Sequence, residues 1–88
     1  MDMSTRPRQE EKIHTRRVGR EMVLYDEEGN IVHSLNDTAS FIWEACDGVR
    51  TVDDIAKDLG TKFDVEYDRA KKDTQKILLE FRKAKIVK

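Results

Sequence analysis

The side chains able to do chemistry are few, and their spacing excludes more than it offers. Neither His14 nor His33 has a second histidine or a cysteine at ligand spacing, so neither begins a zinc site; both read as ordinary flank or strand residues. The single cysteine, Cys46, follows Ile42 and Trp43 on the apolar side of a helix, where a thiol packs as a small hydrophobe. A nucleophile would need exposure and a nearby base. Alone, it also forms no intrachain disulfide and holds no cluster. The acidic pairs Glu27-Glu28 and Asp53-Asp54 fall in a turn and on a helix surface, where solvated charge is the default. The glycines at 19, 29, 48 and 60 are too dispersed to cradle a phosphate. These residues imply no catalytic site, no metal and no cofactor, and the chain reads as a non-enzyme.

Binding is what remains, and the balance of charge limits the partner. Lysine plus arginine (17) nearly cancels aspartate plus glutamate (18), so no overall field favours nucleic acid or an anionic membrane. The arginines at 6, 8, 16, 17 and 20 are diluted by Glu10, Glu11 and Glu21 and read as a solvated flank. No apolar run approaches the roughly 20 residues of a membrane span, and MDMSTRPRQEEK lacks the apolar middle of a signal peptide. The expected compartment is the cytoplasm, with no membrane partner.

The elements that must position any binding surface centre on Leu35–Gly48. Asn36 is a helix N-cap with Asp37 in the first turn, and Gly48 is expected to end the helix at its left-handed position. Thr38, Ala39, Phe41, Ile42, Trp43, Ala45 and Cys46 cover roughly 200° of its circumference, leaving Asp37, Ser40, Glu44 and Asp47 as a narrow polar strip. So broad an apolar arc marks a central helix covered on more than one side. In 88 residues, which bury only a little more than about 60% of their unfolded surface, one such helix is an economical core.

Three short β-like runs come before it: Thr15–Val18, Glu21–Asp26 and Asn30–Leu35, the last two joined by a hairpin with Gly29 free for positive φ. Two helices follow. Thr51 and Asp54 form a capping box ahead of Val52, Ile55, Ala56 and Leu59, with the stop expected at Gly60. Asp64 is expected to cap a long helix to about Ala84 whose stripe is Tyr67, Ala70, Thr74, Ile77, Leu78 and Phe81. The fold class is α+β, a winged helix-turn-helix in which a three-stranded antiparallel sheet precedes three helices. Residues 1–14 are expected to be a flexible N-terminal segment and residues 15–88 the domain.

Such a shape binds DNA or peptide. A recognition helix opening on Asp64, Glu66 and Asp68 sets negative charge where phosphates would approach, and Arg69, Lys71, Lys72 and Lys76 only offset it. A winged-helix DNA-binding regulator is therefore the alternative. The favoured reading uses Asn30–Leu35 as an edge strand with unpaired N–H and C=O groups, able to accept an extended peptide. On the long helix, Asp68, Lys72, Gln75 and Leu79 form a second line in which Leu79 is an apolar residue the core stripe does not explain.

The residues Leu35-Asn36, the small Ala39, Ile42-Trp43, Asp47-Gly48, Thr51-Val52 and Ile55-Ala56 resemble the signature of the PqqD family, the peptide chaperones of pyrroloquinoline quinone biosynthesis, and the related RiPP recognition elements. The similarity extends more loosely over residues 15 to 84. It implies a domain that takes the leader of a ribosomally made precursor peptide as a strand beside its third strand and against its third helix, and presents it to a modifying enzyme, often a radical SAM protein. Carried onto this chain, the peptide-binding positions are Asn30, Ile31, Val32, His33 and Ser34 on the strand and Asp68, Lys72, Gln75 and Leu79 on the helix. One departure is the C-terminal KAKIVK, which lacks the usual glycine before its last apolar pair.

Overall fold

The computed structural model describes Met1 to Lys88 and orders the elements as β1 (His14–Val18), β2 (Glu21–Tyr25), β3 (Ile31–Leu35), α1 (Asp37–Ala45), α2 (Val52–Phe63) and α3 (Tyr67–Lys83). The expected α+β sequence of an antiparallel sheet and then three helices is what forms. β2 lies between β1 and β3, so both outer strands have one unpaired side. The β2–β3 turn is held by Asp26, whose Oδ1 accepts from the N–H groups of Glu28 and Asn30, each at 3.0 Å.

Strict alternation would group Ile31 with His33 and Leu35. Instead Leu24 faces His33 and Tyr25 faces Ile31, which leaves Val32 as the extra residue of a bulge. An inserted residue reverses the facing of everything before it. Ile31 therefore joins Tyr25 on the outer face, while Met22, Leu24 and Leu35 face inward and are buried.

α1 is the element the core surrounds. The Asn36 side chain accepts from the Ala39 N–H at 2.8 Å, and Ile42 and Trp43 are completely buried. Trp43 meets Phe81 of α3 edge-on with ring centres 6.0 Å apart, a favoured aromatic geometry. Ser40, expected in the polar strip, is also buried, because its hydroxyl donates back to the Leu35 carbonyl at 3.3 Å and so needs no water. The helix ends earlier than expected, at a Cys46 cap whose N–H bonds the Trp43 carbonyl. Gly48 serves the next turn, at φ +78°, where a Cβ would lie 3.0 Å from the Arg8 guanidinium.

Both bonds of the Thr51–Asp54 capping box are present, at 3.1 and 3.0 Å. The helix it starts does not stop at Gly60. It continues to Phe63 and ends on Asp64 in the left-handed conformation, with the Val65 N–H bonding the Gly60 carbonyl at 2.9 Å. Glycine is needed at 60 because a Cβ there would sit 2.9 Å from the Val65 carbonyl oxygen. Asp64 thus closes α2 rather than opening α3, which begins after Glu66 with no side-chain cap. Ala70, Thr74, Leu78 and Phe81 form the buried stripe of α3, whereas Tyr67 is 40% exposed and its hydroxyl donates to the Asp53 carboxylate.

The N-terminal segment, expected to be flexible, lies along the helix ends. The N–H groups of Val52 and Asp53, left over in the first turn of α2, donate to the carbonyls of Thr5 (2.8 Å) and Met3 (3.0 Å). At the far end of α1, Gln9 gives its backbone N–H to the Cys46 carbonyl and its side-chain amide to that of Trp43, at 3.1 and 2.8 Å. Arg8 and Lys88 exchange two backbone bonds, which ties the two termini together. Ile86 and Val87 are buried beside them, and Lys85 makes the preceding turn at φ +60° without the usual glycine. No helix is long and apolar enough to cross a membrane.

Two substitutions follow from these placements. Thr74 is fully buried and its hydroxyl has no hydrogen-bond partner, so Thr74→Val should raise stability by about 1 kcal/mol in urea unfolding. Lys85→Gly relieves a positive φ that costs a side-chain-bearing residue about 1–2 kcal/mol, against roughly 0.5–1 for the added chain entropy; a higher urea midpoint is expected.

Candidate functional site

β3 has a neighbour on one side only. α3 packs on α1 and α2, and no Cα of α3 comes within 8 Å of one in β3. Between them, over the start of α1, lies a hollow of about 290 Å³ lined by Asn36, Thr38, Asp73, Lys76, Ile77 and Glu80. A second hollow of about 240 Å³ shares Thr38 and Asp73 and continues to Leu59, Phe63, Val65 and Arg69. The two form one furrow along the flank of α3, which approaches β3 only through Asn36, the residue after the strand's last.

The expected strand positions divide by role. Asn30 closes the hairpin, donating its side-chain amide to the Asp26 carboxylate at 3.3 Å and accepting at its carbonyl from the Asp26 N–H at 3.0 Å. Ile31 is 70% exposed on the outer sheet face and Val32 is the bulge. His33 faces the core side, where its ring Nδ1 lies 3.2 Å from the Ser34 carbonyl. Ser34 is exposed opposite Val23.

The helix positions are not brought to β3. At about 100° per residue, the line Asp68, Lys72, Gln75 and Leu79 and the line Asp73, Lys76, Ile77 and Glu80 flank the buried stripe of α3 on opposite sides. Gln75, in the middle of the first, donates to the Met1 carbonyl at 3.5 Å, so this line borders the N-terminal segment. The second line borders Asn36 and Thr38. Leu79 is 42% exposed on the far flank, while Ile77 packs partly against the core and presents its remainder to the furrow. Periodicity offers both flanks equally. It also counts Ile77 in the core stripe, which hides the apolar residue of the flank that lines the furrow.

The furrow's charges are mixed. Arg69 stands 3.9 Å from Asp73, and neither Lys76 nor Glu80 has an ionic partner. This lining can orient a polar backbone and take an aliphatic side chain over Ile77. The Cys46 thiol lies elsewhere, donating to the Ile42 carbonyl, and burial beside Asp47 pushes it up to about 12. At the hairpin end of β3, backbone N–H donation, chiefly from Asn30, holds the Asp26 carboxyl below the usual range. Similar donation, led by Arg50 and Val49, lowers Asp47, and that of Thr51 lowers Asp54. The Tyr67 hydroxyl and then Lys57 lower Asp53.

The outer sheet face carries a hollow of about 460 Å³ among Arg16, Val18, Val23, Tyr25, Gly29 and Ile31. It lies on the opposite side of the sheet from the furrow.

The family model described as coenzyme PQQ synthesis protein D (PqqD) matches residues 21–87 of this chain. Among solved structures, that of "TbiB1 in Complex with the TbiA(beta) Leader Peptide" shares the fold with a TM-score of 0.78, at 15% identity, over 92% of this chain and 94% of that one. No curated protein matches the sequence.

The lowered carboxyls of Asp26, Asp47, Asp53 and Asp54 make stability depend on acid in a definite sense. Each contributes fully above its unfolded value and loses that contribution as pH falls through its lower folded value, so the urea midpoint should hold from pH 7 to about 5 and fall below about pH 4. Amide shifts of Glu28 and Asn30 followed through the same titration should report Asp26 with a midpoint below the usual carboxylate value.

Proposed function

We propose that this chain, which belongs to the PqqD family, is a non-catalytic carrier that binds the leader of a ribosomally made precursor peptide by strand addition to β3. It would then present the peptide to a modifying enzyme such as a radical SAM protein. The observation that carries the reading is the unpaired side of β3 next to an open furrow. A guest strand at the usual spacing of about 4.8 Å would satisfy the free main-chain groups of Val32 to Leu35, which supplies affinity without regard to sequence. Its side chains alternate, and those on the inner side enter the furrow, where Ile77 takes an aliphatic group and Lys76 and Glu80 select its neighbours. The solved TbiB1 structure, a complex with a leader peptide, supports this use of the shared fold. The site of work is the cytoplasm, where a freshly translated precursor is found.

The helix contacts proposed are Asp73, Lys76, Ile77 and Glu80. Asp68, Lys72, Gln75 and Leu79 fall outside the groove, since α3 itself stands between them and β3.

The test is a titration with the leader of the precursor encoded beside this chain's gene, read by backbone amide shifts and by fluorescence anisotropy. Shifts at Val32–Leu35 and Asp73–Ile77 are expected. Ile77→Glu should weaken binding about ten-fold or more and Leu79→Glu by less than about two-fold, with thermal melts confirming that both variants fold. The reverse order of effects would move the guest to the other flank. Shifts confined to residues 3–10 or to α2 would remove the groove, and a steeply salt-dependent affinity for a DNA duplex would favour a transcriptional regulator instead.

A further inference from the structure

The sheet has a second open edge, and its chemistry differs from that of the first. All five residues of β1 are exposed, and the strand pairs only with β2. The register places His14, Arg16 and Val18 on the outer face with Tyr25, Val23 and Glu21, and Thr15 and Arg17 on the inner face with Leu24 and Met22. Arg17 is taken by Glu44 of α1. Arg16 and the nearby Arg20 have no ionic partner, and Arg16 rims the outer hollow with Val18, Val23 and Tyr25. Val18 is 57% exposed there.

We propose that β1 is a docking edge for an extended acidic segment of a partner protein, a surface separate from the β3 groove and independent of what that groove binds. Three observations converge on this occupant. The unpaired backbone of β1 offers a row of alternating donors and acceptors that a strand satisfies in full, whereas phosphates could accept only from its N–H groups. Unneutralised arginine beside that row selects a carboxylate directly across from Arg16, because opposite charges on facing strands attract and like charges repel. The apolar hollow next to it accepts an aliphatic side chain across from Val18, two residues away on the same face. The guest pattern is therefore acidic and aliphatic at alternate positions on its outer face.

The same arginines exclude a second copy of this chain. Antiparallel pairing of β1 with itself about Arg16 would set Arg16 against Arg16 and Arg17 against Thr15, stacking like charge at the centre. The two open edges are separated by the width of β2, about 10 Å, so a guest on β3 and a partner on β1 can be held together.

The probe is the capped heptapeptide Thr-Glu-Thr-Val-Thr-Glu-Thr, which sets glutamate and valine two residues apart on one face, titrated into isotope-labelled protein alongside the same peptide with lysine for glutamate. Amide shifts at Thr15–Val18 and Val23 are expected with the glutamate peptide only, diminishing as salt is raised. Arg16→Glu should weaken that peptide about five-fold or more and admit the lysine peptide instead, with an unchanged melting temperature, since Arg16 has no ionic partner to lose. Leader binding at β3 should be unaffected by this variant, so failure of the β1 edge and failure of the β3 groove are told apart. Absence of shifts in β1, equal response to both peptides, or shifts in β3 alone would overturn the proposal. A comparable response of β1 to a DNA duplex would assign the surface to nucleic acid and overturn it equally.

Discussion

Burial of one helix on three sides is the constraint from which the rest of the molecule follows. α1 carries Ile42 and Trp43 at zero exposure, and no single neighbour could cover so wide an apolar arc. The sheet covers one side with Met22, Leu24 and Leu35, α2 another with Val52, Ile55 and Leu59, and α3 a third with Leu78 and Phe81. Because α1 is wedged between the sheet and α3, those two cannot meet. The open furrow beside β3 is thus a geometric consequence of where the core was put. A helix with a narrower apolar stripe would have let α3 settle onto the sheet and closed it.

So small a core leaves many main-chain groups near the surface, and the termini take up some of them. Three places would otherwise carry unpaired donors or acceptors: the start of α2, the end of α1 and the chain's own C-terminal turn. Residues 3–10 meet all three with backbone carbonyls and N–H groups, and buried Pro7 sits between them with its carbonyl on the Gly48 N–H. In a chain with 40% charged residues this is an economical supplement to apolar burial.

What can be read from the sequence is local, and what cannot is set by contacts far along the chain. Asn36, the Thr51–Asp54 box, the Gly29 hairpin and the three strands act within a few residues, and each is where its chemistry requires. The extension of α2 through Gly60 depends on how close Val65 returns, and the docking of residues 3–10 depends on helix ends more than thirty residues away. The bulge at Val32 is invisible to an alternation count, which therefore groups Ile31 with the wrong face. The flank of α3 is the instructive case. A helical wheel shows two polar lines beside one buried stripe, and only the packing of α1 against α3 decides which of them looks toward the sheet. A half-buried isoleucine lining the furrow and a half-exposed leucine on the far side of the helix cannot be told apart by spacing.

The two sheet edges also differ in how they are kept from pairing indiscriminately. β1 carries arginine at its centre, an ordinary protection against edge-to-edge association. Ile31 to Leu35 has no charged residue at all, and its nearest acids, Asp26 to Glu28, belong to the turn beyond its first residue. An uncharged edge strand is a liability in a small protein unless something limits access to it. Here two features bear on it: the bulge at Val32 twists the beginning of the strand, and beyond its end, past Asn36, rises the wall of the furrow on α3, with Lys76 and Glu80 unpaired. A flat sheet edge from another copy would have to enter past that wall, whereas a single extended peptide is narrow enough to lie within it. The restriction that protects the strand would also shape the guest proposed for it.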